Sequence, residues 1–169
     1  MTAPQTFSVQ DDAQTASWSE KYGITPEELK TLHQRSTAAK ATAYCPYSKF
    51  RVGATLLARD GGWTDGANVE NAAYPVGTCA ERVAFGKAIV EGVRGFKAVG
   101  VATDIKEVCS PCGACRQFIR EFCDLDMPIF MFNNDGHYAV LTLGELLPLS
   151  FGPDVLPPPH VLEANRPNV

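Results

Sequence analysis

The sequence has no uninterrupted apolar run that approaches the roughly 18–20 residues needed to cross a bilayer. It also has no Lys or Arg among its first twenty residues, and that segment lacks the apolar core of about 7–15 residues that a secretory signal requires. These absences predict no membrane span, no secretory signal and no mitochondrial presequence. We therefore expect a cytoplasmic protein without a membrane partner.

An excess of positive charge is missing as well. The chain carries 15 Lys and Arg against 19 Asp and Glu, for a formal net charge of -4, and its sequence pI is about 5.3. Proteins that bind nucleic acid present a basic surface to the phosphate backbone. The charge balance therefore argues against a nucleic-acid partner and favours a small, uncharged molecule.

What is present is the composition of one globular domain. Of 169 residues, 45% are hydrophobic and 20% are charged, which suits a single domain that buries about 70% of its unfolded surface. We expect this domain to run from 25 to 156. Residues 1–24 show little periodicity and predict a tail that is partly ordered at best, around Trp18 and Tyr22. Residues 157–169 predict a Pro-rich C-terminal tail.

Hydrophobic periodicity alternates between helical and strand patterns. Thr25-Pro26-Glu27-Glu28 is a capping box with Pro at the first helical position, and it opens a helix that Pro46 ends. From Phe50 to Ala58 apolar residues alternate as in a strand, and Asp60-Gly61-Gly62 returns the chain in a hairpin. The further predictions are a strand over 63–69, a helix from Cys79 or Ala80 to about Val93, a strand over 97–103, a helix from Pro111 to about Phe122, strands over 127–132 and 138–141, and a short helix over 142–147. This order predicts an α/β fold with a single mixed β-sheet of about five strands, flanked by helices on both faces.

Three of the six cysteines stand at helix starts. Without an export signal, cysteines are better interpreted as thiols than as disulfides, and their clustering indicates metal binding or catalysis. Cys112 and Cys115 are three apart in Pro-Cys-Gly-Ala-Cys and so share a helix face, while Cys79 begins the preceding helix. Helix N-termini stabilise thiolates, and this spacing allows the sulfur separation of roughly 3.8 Å that one tetrahedral zinc ion requires.

The number of thiols and the nearby acid indicate what such a site would do. Structural zinc sites are closed by four protein ligands, whereas catalytic sites keep one position open for water. Glu81 follows Cys79 by two residues and supplies a carboxylate that can take a proton from that water and return it. The pattern is typical of zinc-dependent nucleobase deaminases, which carry a Pro-Cys-x-x-Cys segment and a Glu near the first ligand.

Other metal sites remain possible at this point. Cys109-x-x-Cys112-x-x-Cys115 is similar to the first part of a ferredoxin run, although the gap to Cys123 is seven residues and no Pro follows. A closed four-cysteine zinc site that includes Cys109 is a further alternative. Cys45 and Cys123 are equally consistent with small buried side chains. We assign no ligand role to the three histidines, which are scattered over unrelated segments: His33, His137 and His160.

Four motifs in order carry a resemblance to a known family: YCPYSKFRVGA, NVENAAYPVGTCAER, SPCGACRQ and LLPLSFGPDVL. From about Leu29 to Leu156 the chain resembles the small zinc-dependent cytidine deaminases of pyrimidine salvage. The resemblance implies a three-layer α/β/α fold, one Zn²⁺ per chain and a homotetramer with shared active sites. It also implies hydrolytic deamination of cytidine and deoxycytidine to uridine and deoxyuridine, with release of ammonia. A relative that acts on a cytosine nucleoside antibiotic, or a deaminase of nucleic acid, is the alternative within the same chemistry.

The resemblance also implies roles for individual residues. Cys79, Cys112 and Cys115 would hold the zinc, and Glu81 would be the catalytic proton shuttle. The nucleoside would be bound by the aromatic ring of Phe50, the side chains of Asn68 and Glu70 at the ribose, the backbone N–H of Ala80 at the base carbonyl, and Tyr74 and Phe151 at subunit contacts. Arg82 would donate to the thiolates from behind and offset their negative charge.

Each of these side chains has a simpler interpretation from the sequence alone. Glu81 is also a favourable first-turn helix acid, and Phe50 is also consistent with a core residue at the head of a strand. Asn68 and Glu70 would suit a solvated strand edge, and Arg82 a helix surface.

Overall fold

The computed structural model describes residues 5–157, which alternate between helices and strands. In chain order the elements are β1 (Phe7–Ser8), α1 (Asp12–Tyr22), α2 (Pro26–Ala39), β2 (Val52–Ala58), β3 (Trp63–Ala67), α3 (Ala80–Val90), β4 (Phe96–Thr103), α4 (Gly113–Arg120), β5 (Pro128–Phe132), β6 (His137–Thr142) and α5 (Leu143–Leu146). Single 3-10 turns lie at Lys40–Thr42, Tyr74–Val76 and Pro153–Val155. None of the helices within 5–157 has the length and apolar character to span a bilayer.

The strands form one six-stranded sheet in the order β1-β6-β5-β4-β2-β3. Only the β4–β5 pair is parallel, and the other pairs of this sheet are antiparallel. The predicted α/β fold with one mixed sheet is therefore confirmed. The strand beyond the predicted five is β1, in which Phe7 pairs with Tyr138 of β6.

The described part of the segment predicted as a tail carries more order than expected. Trp18 of α1 is 9% exposed, and its Nε1 donates to the hydroxyl of Tyr138 at 2.8 Å. Phe7 packs edge-on against Trp18, with ring centroids 5.2 Å apart. A few widely spaced aromatic residues hold this segment on the sheet, so periodicity does not reveal it. The division into a domain over 25–156 and two tails stays a prediction, and residues 158–169 of the C-terminal tail lie outside the described residues.

Helices cover both faces of the sheet. One face packs Leu56, Val99 and Ile129 against α3 and α4, and the other packs Leu57 and Phe130 against α1 and α2. Because helices cover both faces of the sheet at β2, Gly53 to Ala58 are buried on both sides rather than on the alternate side only. An added Cβ at Gly66 would lie 2.5 Å from the backbone nitrogen of Ala84, and this close approach seats α3 directly on β3.

The helix starts differ from the predictions by one or two residues, with a clear cause. The capping boxes at Thr25 and Thr142 are both present. The helix predicted from Pro111 instead begins at Gly113, because Cys112 adopts the extended backbone of an N-cap. Cys79 is the N-cap of α3 in the same way. The helix predicted to end at Pro46 ends at Ala39 and continues as the 3-10 turn.

Candidate active site

Two N-caps and one first-turn residue bring three thiols together. The Sγ atoms of Cys79 and Cys112 are 3.9 Å apart, and those of Cys79, Cys112 and Cys115 all lie within 4.8 Å of one another. Thiolates bound to one tetrahedral zinc at about 2.3 Å are roughly 3.8 Å apart. The donor set and its spacing therefore fit zinc.

The thiols of Cys79 and Cys115 differ in pKa. Hydrogen bonding with Cys115, supported by the guanidinium of Arg82, lowers the pKa of the Cys79 thiol to about 5. The pKa of Cys115 is raised, chiefly because its thiol donates to Cys79 and because it is buried. One thiolate is thus stabilised before any ion binds, at the positive end of two helices.

The cluster has three ligands and not four. Within 5–157, Cys109 does not belong to the group whose sulfur atoms are close enough to share an ion. Cys123 is buried in the hydrophobic core beneath α4. The four-cysteine and ferredoxin-like alternatives therefore have no support in the geometry, and a fourth coordination position is left for a non-protein ligand. His33 and His137 lie outside the cluster, and His160 lies outside the described residues.

Glu81 is the buried acid of the site. It is 3% exposed, and its Oε2 atom has no hydrogen-bond partner in the protein. Burial raises the pKa of this carboxyl above its usual value. A buried carboxyl oxygen without a partner is costly unless a ligand or water binds it, so Glu81 is available for proton transfer.

A cavity of about 540 Å³ lies in front of the thiols and the acid. Cys79, Cys112 and Glu81 line one side. Phe50, Asn68 and Glu70 also line it, together with Val52, Val101 and Thr103. The cavity therefore combines the predicted metal site, proton carrier and three of the predicted nucleoside-binding residues.

Asn68 and Glu70 already hold the segment around Phe50 at the cavity. Asn68 donates from Nδ2 to the Phe50 carbonyl and accepts from the Val52 N–H, both at 2.9 Å. Glu70 accepts from the backbone N–H groups of Tyr47 and Ser48 and from the Ser48 hydroxyl. The Ser48 hydroxyl and these N–H groups hold the pKa of Glu70 below its usual value. Both side chains are thus rigid, and each keeps spare capacity for a ligand.

Ala80 and Arg82 lie on α3 behind the cavity. Ala80 is the first helical residue, where a backbone N–H has no partner inside the helix. Arg82 donates to the Gly77 carbonyl at 3.2 Å, and its Nε is buried without a partner. A metal-bound thiolate would supply one, since hydrogen bonds to Cys79 and Cys115 raise the pKa of Arg82 against the effect of its burial.

Tyr74 and Phe151 are not in the cavity of their own chain. Tyr74 is 75% exposed and lines an adjacent cleft of about 270 Å³ together with Tyr47 and Glu70. Phe151 is 62% exposed, and its carbonyl accepts from the Gln117 side chain at 2.9 Å. Both rings are thus largely exposed, although the ring of Tyr74 lies 5.9 Å from that of Tyr47, centroid to centroid.

Sequence reasoning missed two residues that order the site. Arg116 donates to the Pro111 and Leu146 carbonyls and to the Ser110 hydroxyl, which fixes the loop that precedes Cys112. Ser48 joins Glu70 to Phe50. Arg116 lies in the motif SPCGACRQ and Ser48 in the motif YCPYSKFRVGA. Their positions in these motifs could have marked them as candidates, whereas their contacts are visible only in the structure.

Comparison with known proteins decides the family. The family model described as "Cytidine and deoxycytidylate deaminase zinc-binding region" matches residues 26–131. The chain belongs to this family. Over 129 residues it is 48% identical to the cytidine deaminase of Sporosarcina psychrophila, a match that covers 76% of this chain and 95% of that protein. Zinc is accordingly the cofactor of this deaminase, and its three clustered thiols are positioned to hold the ion.

Two further relatives agree. The cytidine deaminase of Halalkalibacterium halodurans is 45% identical over 124 residues, with 73% of this chain and 94% of that protein covered. The crystal structure of cytidine deaminase from Burkholderia pseudomallei superposes on this deaminase with a TM-score of 0.71 at 40% identity, and covers 72% of this chain and 98% of that one. The relatives therefore match this deaminase over nearly their full length.

Proposed function

We propose that this deaminase hydrolyses cytidine and deoxycytidine to uridine and deoxyuridine. Water adds at C4 of the base, the bond between C4 and the exocyclic nitrogen breaks, and ammonia leaves. The observation that carries the proposal is the buried Glu81 carboxyl, whose Oε2 lacks a partner beside three clustered thiols at the end of a nucleoside-sized cavity.

The acid and the thiols would divide the chemistry between them. Cys79, Cys112 and Cys115 would hold zinc, which when bound supplies the Lewis acidity that makes water nucleophilic near neutral pH. Glu81 would accept a proton from water, pass it to ring nitrogen N3 and later protonate the departing amine. The proton for the amine is a second one, which leaves the C4 hydroxyl as the carbonyl of the product forms, and the burial of Glu81 keeps both protons from bulk water.

The cavity residues outside the thiol cluster would bind the base and the sugar of the nucleoside. Phe50 would pack against the pyrimidine ring, and the spare hydrogen-bonding positions of Asn68 and Glu70 would take ribose hydroxyls. The Ala80 N–H would donate to the base carbonyl. The Glu70 carboxylate would repel a phosphate on the sugar, which favours nucleosides over nucleotides.

The exposed aromatics support a shared site. In a homotetramer, Phe151 of one chain would close the cavity of a neighbour, and Tyr74 would lie at the same junction. This arrangement gives both side chains the cover that their own chain does not provide. We also propose that the enzyme acts in the cytoplasm, where a salvage enzyme meets its nucleoside.

Ultraviolet absorbance tests the activity directly. The zinc-loaded protein is incubated with cytidine, deoxycytidine and cytidine monophosphate, before and after treatment with a chelator, and again after zinc is restored. We expect conversion of both nucleosides, little conversion of the nucleotide, loss on chelation and recovery with zinc. A zinc-loaded protein that leaves both nucleosides unchanged would refute the proposal.

A further inference from the structure

One serine hydroxyl links two residues that line the cavity. Ser48 donates its hydroxyl proton to Oε1 of Glu70, and Oγ of Ser48 accepts from the backbone N–H of Phe50 at 3.0 Å. The direction of both bonds is fixed, because an ionised carboxylate only accepts and a backbone N–H only donates. Ser48 thus connects the carboxylate proposed for the sugar with the aromatic residue proposed for the base.

The residue between them needs this support. Lys49 has a φ of 58°, in the left-handed region that residues other than glycine seldom adopt. Its N–H donates to the Cys45 carbonyl at 3.1 Å. The Ser48 hydroxyl accepts from the N–H of Phe50 on the other side of Lys49, and this bond fixes the direction in which the hydroxyl proton is presented to Glu70.

The contacts of Glu70 also limit what it can bind. A carboxylate offers about four acceptor positions. In Glu70 they are used by the N–H groups of Tyr47 and Ser48, at 2.9 and 3.2 Å, and by the Ser48 hydroxyl. Room for about one further donor remains, and its direction is set by the groups already bound.

We propose that Ser48 is a positioning residue for sugar recognition, which aims the one free acceptor position of Glu70 at a single ribose hydroxyl. The proposal rests on the proposed function of the cavity. The ligand class it selects is cytosine nucleosides that carry a sugar hydroxyl, as opposed to dideoxynucleosides.

The test compares substrates that differ only in those hydroxyls. kcat and KM are measured for cytidine and for 2′,3′-dideoxycytidine with the parent, Ser48→Ala and Ser48→Thr proteins. Calorimetry measures the binding of uridine and 2′,3′-dideoxyuridine to the same zinc-loaded proteins, independently of turnover. Ser17→Ala, on the exposed face of α1, is the matched control, and thermal unfolding checks that each variant is folded.

For Ser48→Ala we expect the KM for cytidine and the Kd for uridine to rise about tenfold, as for a lost hydrogen bond to a charged group. We expect kcat to change little, the dideoxynucleosides to be affected much less, and Ser48→Thr to restore binding. Equal losses for both sugars, or no loss for either, would overturn the proposal. A parent protein that binds uridine yet converts no cytidine would instead refute the proposed function, and the two binding series would still decide the role of Ser48.

Discussion

Cys79 and Cys112 bring their sulfur atoms to 3.9 Å across two different helices, because each residue is an N-cap. An N-cap has an extended backbone, and its side chain lies at the positive end of the helix rather than along its flank. Two helices packed on the same face of the sheet thus present two thiols to one point, and Cys115 joins them from the first turn of α4. The metal site follows from where the helices begin.

We expect about one zinc ion per chain, bound through all three thiols. Cys112→Ser should lose most of its zinc, because a hydroxyl is a much weaker ligand than a thiolate. Metal content by mass spectrometry measures this, and Cys45→Ser, half-buried and outside the cluster, is the control. Active parent protein with zinc near zero would exclude the assignment.

Glu81→Gln should retain zinc and the fold while deamination falls by about 10²–10⁴-fold, because an amide cannot relay protons. Zinc content, thermal unfolding and the rate on cytidine are measured together. Glu91→Gln, at the exposed end of the same helix, is the matched control. Substantial turnover by a zinc-loaded Glu81→Gln protein would show that another group carries the proton.

Arg82→Ala should weaken zinc retention or activity by about 10–100-fold, as for other groups that contact metal ligands. The buried Nε of Arg82 has no other partner, and its guanidinium also donates to Gly77, two residues before Cys79. Competition with a chelator measures zinc affinity, and the exposed Arg59 provides an Arg→Ala control. If both variants match the parent, Arg82 is a structural charge and plays no part in the site.

Local signals were sufficient to locate helices α2 to α5 and the metal site. The capping boxes at Thr25 and Thr142 marked helix starts, and the i,i+3 spacing of Cys112 and Cys115 placed both thiols on one face. These features depend on neighbours in sequence. The thiol of Cys79 could be assigned as well, because it stands at a helix start of its own.

Contacts between distant segments could not be predicted. The family resemblance implied that Asn68 and Glu70 are ribose ligands, yet nothing in the sequence indicated that both side chains also hold the turn around Phe50. The strand and helix within residues 7–22 were not predicted for the same reason. They depend on the hydrogen bond between Trp18 and Tyr138, which are far apart in the sequence. Such pairs exist only once the sheet has formed.

The ion pair between Glu28 and Lys97 predicts a pH dependence of stability. Burial alone would raise the pKa of Glu28, but hydrogen bonds from Lys97 at 2.6 and 2.7 Å and from Thr25 bring it below its ordinary 4.5. A carboxyl with a lowered pKa stabilises the folded state fully above its unfolded value, and this stabilisation is lost as pH falls through the folded value.

Glu28→Gln should therefore lower the free energy of unfolding by about 1 kcal/mol near neutral pH and progressively less below pH 4.5. Urea unfolding at a series of pH values measures the free energy of unfolding of the variant and of the parent. Because both proteins lose zinc alike in acid, that loss cancels in the difference between them. Glu27→Gln, on the exposed side of the same turn, is the control. A difference that stays constant down to pH 3 would contradict the linkage.

The segment around Phe151 is held in a way that suits a contact between chains. Arg120 of α4 binds the side chains of Ser150 and Asp154, and Gln117 binds the Phe151 carbonyl. A Cβ at Gly152 would lie less than 3 Å from the Arg120 guanidinium, so a larger residue there would make the guanidinium move. The backbone is fixed while the Phe151 ring remains exposed, which presents the ring outward.

We expect a homotetramer in which Phe151 completes a neighbour's cavity, and light scattering should give about four times the chain mass of 18.3 kDa. Phe151→Ala should raise KM, whereas Leu149→Ala, at an even more exposed position two residues earlier, should not. The decisive measurement is complementation: Phe151→Ala and Glu81→Gln chains are produced together with different tags, and the mixed assemblies are purified. Each chain alone lacks one half of the site, but in a mixed assembly an intact Glu81 can face an intact Phe151 from its neighbour. Activity above that of either variant alone is therefore expected, while an active monomer, or mixed assemblies without any gain, would show that each chain builds its site alone.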